Sequence, residues 1–339
     1  MQKILVTGSA GYIGSHTCLV LLQADYAVVG LDNLVNSAPQ SLQRVQQICG
    51  KSMDFVIGDV RDANCLSRLF SDHKIDAVIH FAGLKAVGES VQQPIKYYDN
   101  NVVGTLKLLE AMQAANVKRL IFSSSATVYA ASGRPRFFES STLGPSSPYG
   151  WSKLNVKQML LDLAVSDTAW KIALLRYFNP VGAHESGLIG EDPNGVPNNL
   201  MPYITQVAVG KLKELAVYGG DYPTPDGTGI RDYIHVMDLA EGHLASLAAI
   251  ETLQQGATAI NLGSGQGSSV LEVITAFEAA SGQPIAYRIA PRRDGDISDY
   301  FADAKLAMQL LNWRTKRSLA DMCGDAWRWQ RQNPGGFGS

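Results

Sequence analysis

The sequence has little excess charge of either sign and no long apolar run. Its 339 residues carry 29 lysines and arginines against 31 aspartates and glutamates, a formal net charge of −2. This balance argues against a nucleic-acid binder that depends on a basic surface, but it permits a small anionic substrate held by a few arginines. No stretch approaches the roughly 20 apolar residues that cross a bilayer. We therefore expect no nucleic-acid partner and no membrane partner.

Cysteines are also scarce, and they are far apart. Cys18, Cys49, Cys65 and Cys323 form no CxxC pair, which predicts free thiols in a reducing compartment and no zinc or other metal site. Met1 to Val6 is a short apolar strand that runs into glycines. A secretory signal would instead begin with basic residues and continue with a longer apolar run. We expect a cytoplasmic protein.

Short apolar runs alternate with helix-like stretches through the first half of the chain. Such alternation predicts βαβ units, and crossover helices on both faces explain why the strands are almost wholly apolar. The expected fold class is α/β, a doubly wound, Rossmann-like parallel sheet in residues 1–180. The predicted strands are Lys3 to Thr7, Ala27 to Leu31, Phe55 to Ile57, Ala77 to Phe81, Leu120 to Ser123 and Ile172 to Tyr177.

The second half changes character. Gly182 to Pro202 and Gly219 to Gly229 are rich in glycine, proline and asparagine, and loops of this length are often functional. Helix-like Met201 to Gly210 and Val236 to Ile250, with strand-like Leu215 to Tyr218, lie between and after them. We expect residues 181–339 to form a smaller α/β substrate region, with some segments packing back on the large domain.

The first strand leads into the glycine-rich loop VTGSAGYIG, which opens a helix. Gly8 permits a tight turn, Gly11 lets the backbone approach a pyrophosphate, and Gly14 lets helix and strand pack closely. The glycines alone would also fit an ordinary βα turn. Asp32 ends the next strand, where an acid can bind the adenosine ribose and repel the 2′-phosphate of NADP. The combination predicts NAD as the cofactor.

Two further strand ends are candidates for the cofactor site. Asp59 suits the adenine amino group, although a helix N-cap is an equally good interpretation of this residue. Phe81, Ala82 and Gly83 end another strand with mostly small residues, at the edge where ligands bind in such folds.

The stretch SPYGWSK provides a candidate catalytic pair. Ser147 suits an N-cap, so Tyr149 falls in the first helical turn with Lys153 four residues later on the same face. A free tyrosine has a pKa of about 10. A nearby ammonium, the helix N-terminus and a bound nicotinamide cation would favour its phenolate, a general base. A surface pair would be the usual interpretation of this spacing, but a preceding strand that ends Phe122 to Ser125 favours catalysis.

GxxGxxG, a serine after a strand and YxxxK together resemble the extended short-chain dehydrogenase/reductase family and, within it, the UDP-hexose 4-epimerases. The departures, Ala130 and Trp151, touch no chemical role. The matching stretches span nearly the whole chain: Val6 to His16, Leu31 to Leu34, His80 to Ser90, Tyr97 to Gly104, Ser123 to Tyr129, Tyr149 to Lys153, Leu174 to His184, Pro197 to Pro202, Gly227 to Leu239 and Pro291 to Asp296.

The resemblance implies Tyr149 as the base, Lys153 as its electrostatic partner and nicotinamide-ribose ligand, and Ser125 as the hydroxyl that bridges to the sugar. Besides the residues already named, it implies cofactor contacts from Tyr12, Ile13, Asn33, Asn36, Ser37, Val60, Lys85, Asn100, Ser125 and Phe178. It implies substrate contacts from Ser125, Tyr149, Asn179, Asn199, Leu200, Ala216, Val217, Tyr218, Arg231, Arg293, Asp296 and Tyr300. Arginine forks suit a diphosphate, although any one of these arginines alone could be an ordinary surface charge.

The expected reaction is the reversible inversion at C4 of UDP-glucose and UDP-galactose. Tyr149 takes the 4-hydroxyl proton as the C4 hydride moves to NAD, a 4-keto sugar forms and turns, and hydride returns to its other face. The resemblance also implies that the apolar-striped helices Pro94 to Ala115 and Pro148 to Val165 pair across a two-fold axis in a homodimer. The alternative is that both pack only on their own sheet.

Two other functions fit the sequence less well. A sugar-nucleotide 4,6-dehydratase of the same fold would have an Asp-Glu acid/base pair near Ser125, and this chain has none there. A non-catalytic NAD-sensing regulator would have lost Tyr149 or Lys153. Finally, the resemblance implies that the residue at position 300 controls acceptance of a 2-acetamido group. The bulk of Tyr300 then predicts poor acceptance of N-acetylated sugars, unless that residue only packs on the core.

Overall fold

The computed structural model of the chain describes residues 1–131, 135–195, 197, 199–253, 256–293 and 297–338. Its strands are β1 (Lys3–Thr7), β2 (Ala27–Asp32), β3 (Asp54–Ile57), β4 (Ala77–His80), β5 (Arg119–Ser125), β6 (Arg136–Phe137), β7 (Lys171–Tyr177), β8 (Asn179–Val181), β9 (Leu215–Tyr218), β10 (Ile230–His235), β11 (Gly256–Leu262), β12 (Gly267–Ser269), β13 (Tyr287–Ala290) and β14 (Asp299–Ala302).

The α-helices alternate with these strands along the chain, mostly with pairs of strands in the second half, and the last two follow each other. They are α1 (Tyr12–Gln23), α2 (Gln40–Cys49), α3 (Ala63–Asp72), α4 (Val87–Gln92), α5 (Pro94–Tyr98), α6 (Gly104–Ala114), α7 (Pro148–Ser166), α8 (Leu200–Ala208), α9 (Val236–Ala249), α10 (Val270–Ser281), α11 (Lys305–Leu311) and α12 (Leu319–Gln332). A π-helical turn, Asp99–Val103, joins α5 to α6. No helix in the described ranges is long and apolar enough to span a membrane.

Seven strands form one parallel sheet in the order β11-β7-β5-β4-β1-β2-β3. Ile4 and Val6 face a core that includes side chains of α1 and α9, whereas Leu5 faces a second core with α3, α6 and α7. Because both faces are buried, the strands need apolar residues at every position. The predicted doubly wound sheet is confirmed.

The later strands build smaller sheets beside the large one. One has the order β12-β10-β14-β6 with β8 added to β10, and the other pairs β13 with β9. β11, from the second half of the sequence, lies at the edge of the large sheet beside β7. The division between residues 180 and 181 stays a prediction, and the chain crosses between the two regions more than once.

Candidate active site

The glycine loop between β1 and α1 is packed too tightly for side chains at two of its three glycines. Gly8 has a φ of +69°, and a Cβ there would lie 2.8 Å from the Ala82 nitrogen. A Cβ on Gly14 would lie 2.1 Å from the Gly8 oxygen. A Cβ on Gly11 would lie 3.3 Å from the same atom, which is a much milder contact. The N-cap residue of α1 is Gly11, which has no side chain to accept from the first amide groups of the helix. Its first amide groups therefore suit a phosphate group.

Asp32 lies beside this loop at the end of β2, and its carboxylate is largely buried. One oxygen accepts from the Ala10 nitrogen at 2.9 Å, and the other accepts from the Leu34 nitrogen at 2.9 Å and the Ser37 hydroxyl at 2.8 Å. A carboxylate has about four acceptor positions, so this arrangement leaves one for a ribose hydroxyl. The loop and Asp32 thus fit the adenosine diphosphate half of NAD.

Asp59 follows β3 and is not the cap of the next helix. Asp62 caps α3 by accepting from the amides of Asn64 and Cys65. Hydrogen bonds, first from the Arg61 guanidinium, hold the pKa of Asp59 well below its usual range. Asn33, another predicted cofactor residue, donates to Asp59 at 2.9 Å. The N-cap interpretation is wrong, and the adenine contact stays a prediction.

The catalytic candidates meet where β5 ends and α7 begins. Ser147 caps α7, because its hydroxyl accepts from the Gly150 amide at 3.2 Å. This cap sets Tyr149 in the first turn, where it is half-buried. The Lys153 ammonium is buried and donates to the carbonyl oxygen of Ser123 at 2.8 Å. Burial lowers the pKa of Lys153 to about 8.

The pKa of Tyr149 is shifted from its ordinary value. Burial raises this pKa, and the opposing hydrogen bond with the Ser125 hydroxyl is the smaller effect. The sequence-based expectation combined the lysine ammonium, the helix N-terminus and a bound nicotinamide, and the phenolate stays a prediction for the protein with its cofactor. The positive charge of a bound nicotinamide would favour the phenolate and so lower the pKa of Tyr149.

Two residues that the sequence analysis did not single out support this cluster. The buried Asn101 accepts from the Leu84 nitrogen at 2.8 Å and donates to the Leu84 oxygen and the Ser152 hydroxyl, each at 3.0 Å. It thereby ties the loop after β4 to α7 next to Lys153. Tyr177 donates to the hydroxyl of Ser123. Ser123 lies on β5, the strand that ends at Ser125. Asn101 and Tyr177 both lie in stretches that resemble the family, Tyr97 to Gly104 and Leu174 to His184, but the resemblance implied no role for either residue.

The other predicted substrate residues occupy loops, strands and the start of a helix in the second half of the chain. The Arg293 guanidinium lies 3.9 Å from the ring centroid of Tyr218, on β9 with Ala216 and Val217. Arg231 pairs in register with Tyr300 across β10 and β14. Asn179 begins β8, next to Phe178, and Leu200 begins α8 directly after Asn199. The predicted ribose ligand Asp296 lies outside the described residues.

Tyr300 packs against two aromatic rings. Its ring centroid lies 5.0 Å from that of Phe137 and 4.9 Å from that of Phe178. The buried hydroxyl oxygen has no hydrogen-bond partner among the described residues. A buried unpaired hydroxyl is costly unless water or a ligand satisfies it. Packing alone therefore does not account for a tyrosine here.

The other predicted cofactor residues lie along the carboxyl edge of the sheet. Tyr12 donates to the Gly182 oxygen at 2.7 Å, and Lys85 forms an ion pair of 2.9 Å with Glu191. Ile13 follows Tyr12 in α1, Asn36 lies in the loop after β2, Val60 follows Asp59, and Asn100 lies in the π turn.

A doubly wound sheet with a glycine loop at the first βα turn, together with Ser125, Tyr149 and Lys153, defines an extended short-chain dehydrogenase/reductase. Residues 5–326 match the family described as GDP-mannose 4,6 dehydratase. UDP-glucose 4-epimerases of Erwinia amylovora and Bacillus subtilis are 58% and 56% identical, over 99% or more of this chain and 99% of theirs. The chain belongs to this family and, within it, to the UDP-glucose 4-epimerases.

Solved structures agree with these relatives. The UDP-glucose 4-epimerase of Bifidobacterium longum, in complex with NAD+ and UDP, superposes with a TM-score of 0.95 at 53% identity, over 99% of this chain and 100% of that one. The enzyme of Stenotrophomonas maltophila, with bound NAD and formylated UDP-arabinopyranose, has a TM-score of 0.96 at 51% identity, over 98% and 99% of the two chains.

Proposed function

We propose that this protein interconverts UDP-glucose and UDP-galactose by inverting C4, with NAD as its cofactor. The observation that carries the proposal is that Tyr149 and the buried Lys153 lie four residues apart at the start of α7, where the Lys153 ammonium donates to Ser123 on β5, the strand that ends at Ser125. The relatives named above support the substrate, and the two structures with bound NAD support the cofactor.

NAD, when bound, supplies the hydride acceptor and donor at C4. Tyr149 takes the proton of the 4-hydroxyl and later returns it, which is general base and then general acid catalysis. Ser125 orients the hydroxyl, and Lys153 supplies positive charge near the phenol while it stays protonated. Arg231 and Arg293 hold the diphosphate, so binding energy far from C4 retains the 4-keto sugar while its ring turns.

We also propose a homodimer, formed by α5–α6 and α7 of each subunit. Three apolar side chains on these helices are exposed: Val103 (40%) in the π-helical turn, Leu106 (43%) on α6 and Trp151 (44%) on α7. Exposed apolar side chains grouped on neighbouring helices favour a protein partner. Light scattering that shows a monomer at micromolar concentration would contradict this assembly, whereas Leu106→Asp should produce monomers from a wild-type dimer.

The cytoplasm is the proposed compartment. Cys18, Cys49, Cys65 and Cys323 are all free thiols, and three of them are buried. Free thiols favour a reducing environment. A fusion of the chain to a fluorescent protein, followed by fractionation of the source cells, would test this.

The activity test needs no added cofactor. The purified protein is incubated with UDP-galactose, and the nucleotide sugars are separated by chromatography. Tyr149→Phe should lower turnover by at least the roughly 10² to 10⁴ typical of a lost general base. The matched control is Tyr26→Phe. Tyr26 directly precedes β2, so it lies near the amino ends of the strands, away from the carboxyl ends where Ser125 lies. Normal turnover in Tyr149→Phe would refute the assignment of the base.

A further inference from the structure

Glu191 lies in the loop between β8 and α8 and joins the two halves of the proposed site. Its Oε1 atom accepts from the Nζ of Lys85 at 2.9 Å and from the Nδ2 of Asn199 at 2.9 Å. Lys85 is a proposed cofactor residue and Asn199 a proposed substrate residue. One carboxylate oxygen therefore contacts a donor from each half.

The position of Glu191 is set from behind by α12. Its carbonyl oxygen accepts from the Trp329 indole at 3.1 Å. The preceding residue, Gly190, lies so close to that ring that a Cβ would be 2.3 Å from its Cγ atom. Trp329 itself is buried. The backbone is thus held against Trp329 both at Gly190 and at the Glu191 carbonyl, which limits where the Glu191 carboxylate can lie.

The donor Lys85 and the acceptor Glu191 differ in how far their side chains are buried. The Lys85 side chain is 49% exposed, while that of Glu191 is only 10% exposed. A long, half-exposed lysine gains a defined position mainly from its partner, and a nearly buried carboxylate needs donors to offset its desolvation. Removal of the negative charge should therefore release Lys85 and weaken the hold on Asn199.

We propose that Glu191 is a positioning residue that couples the cofactor and substrate halves of the site, holding Lys85 and Asn199 in place for a dinucleotide and a nucleoside diphosphate respectively. This proposal rests on the proposed function, because Lys85 and Asn199 are assigned to these ligands there. It predicts that one substitution weakens both kinds of binding without removing a group from the reacting atoms.

The test compares Glu191→Gln with Asp192→Asn, the same chemical change at the next residue. Asp192 accepts from the Phe337 amide at 2.8 Å and thus anchors the C-terminal segment instead. UDP affinity is measured by calorimetry on the purified protein with its bound nucleotide, and nucleotide retention is measured after prolonged dialysis. For Glu191→Gln we expect UDP to bind about tenfold more weakly, the effect of one hydrogen bond to a charged group, and nucleotide to be lost faster. Asp192→Asn should change neither.

The single variant Lys85→Met tests the coupling even if Glu191→Gln fails to fold. Where both variants fold, a double-mutant cycle measures the coupling itself. Lys85→Met should weaken UDP binding in the wild-type background, although Lys85 is assigned to the cofactor. It should add little in the Glu191→Gln background. Unchanged UDP affinity in Lys85→Met, or in a folded Glu191→Gln protein, overturns the proposal, as do equal losses in Asp192→Asn. Neither readout requires turnover, so a wild type that binds UDP but converts no UDP-galactose would refute the proposed function alone.

Discussion

The glycine loop offers a prediction whose magnitude follows from the structure. In Gly14→Ala the new Cβ would lie 2.1 Å from the Gly8 oxygen and 2.9 Å from the Ser9 Cα. Carbon contacts normally begin at about 3.5 Å, so the backbone itself must move by about 1 Å. Overpacking of this kind costs about 1–3 kcal/mol of stability. The protein should still fold, but the amides at the start of α1 would no longer meet a pyrophosphate.

The loss of one hydrogen bond to a charged phosphate weakens binding by about 1.5–3 kcal/mol, roughly 10- to 100-fold. Gly14→Ala should therefore lose its nucleotide on gel filtration, and its denaturant midpoint should fall. Gly11→Ala should separate the two effects. Its Cβ would lie 3.3 Å from the Gly8 oxygen, which needs only a small adjustment, so stability should change little while the methyl group obstructs the pyrophosphate.

Gly324→Ala is the matched control. Gly324 lies inside α12, and a Cβ there would meet nothing within 4 Å. Alanine favours a helix interior over glycine by about 0.8–1 kcal/mol, so this variant should be slightly more stable and keep its nucleotide. The reasoning fails if Gly11→Ala and Gly14→Ala retain the nucleotide as firmly as Gly324→Ala does.

Three shorter predictions concern pH, cofactor identity and the sugar pocket. Since the pKa of Lys153 is lowered to about 8, its charge is present below that pH and lost above it, so kcat/KM should decline as pH rises through about 8; a profile that is flat to pH 10 would contradict this. Acid treatment of the purified protein should release NAD or NADH, and chromatography that finds NADP instead would reject the role of Asp32. Tyr300→Cys should gain activity on UDP-N-acetylglucosamine and keep much of its activity on UDP-galactose. If the wild type already converts UDP-galactose and UDP-N-acetylglucosamine at similar rates, or if the variant gains nothing, Tyr300 does not exclude N-acetylated sugars.

The parts of the site that the sequence predicted are those set by local spacing. Gly8 and Gly14 are required by contacts within one βα turn, and Ser147 starts the helix that carries Tyr149 two residues later. Such features depend on neighbours in the chain, so a sequence pattern reveals them. The predicted strands were likewise correct to within about one residue at most ends, because buried parallel strands are continuous apolar runs.

The parts that were missed depend on contacts between distant segments. Glu191 meets Lys85 across 106 residues of sequence, and no motif marks either residue as a partner of the other. Asn101 lies in a π-helical turn, where the altered helical repeat gives no simple periodic signal. The raised pKa of Tyr149 reflects burial, which the spacing of tyrosine and lysine does not encode.

The central claim is that C4 of the sugar loses and regains the same hydride within one bound cycle. UDP-galactose that carries deuterium at C4 tests this most directly, with the UDP-glucose product analysed by mass spectrometry and NMR after reaction in ordinary water. The account predicts that the product keeps its deuterium at C4, because hydride passes to a bound nicotinamide and back without contact with solvent. UDP-glucose that has lost the label to water would contradict the account, since it would show that C4 is inverted by proton exchange instead.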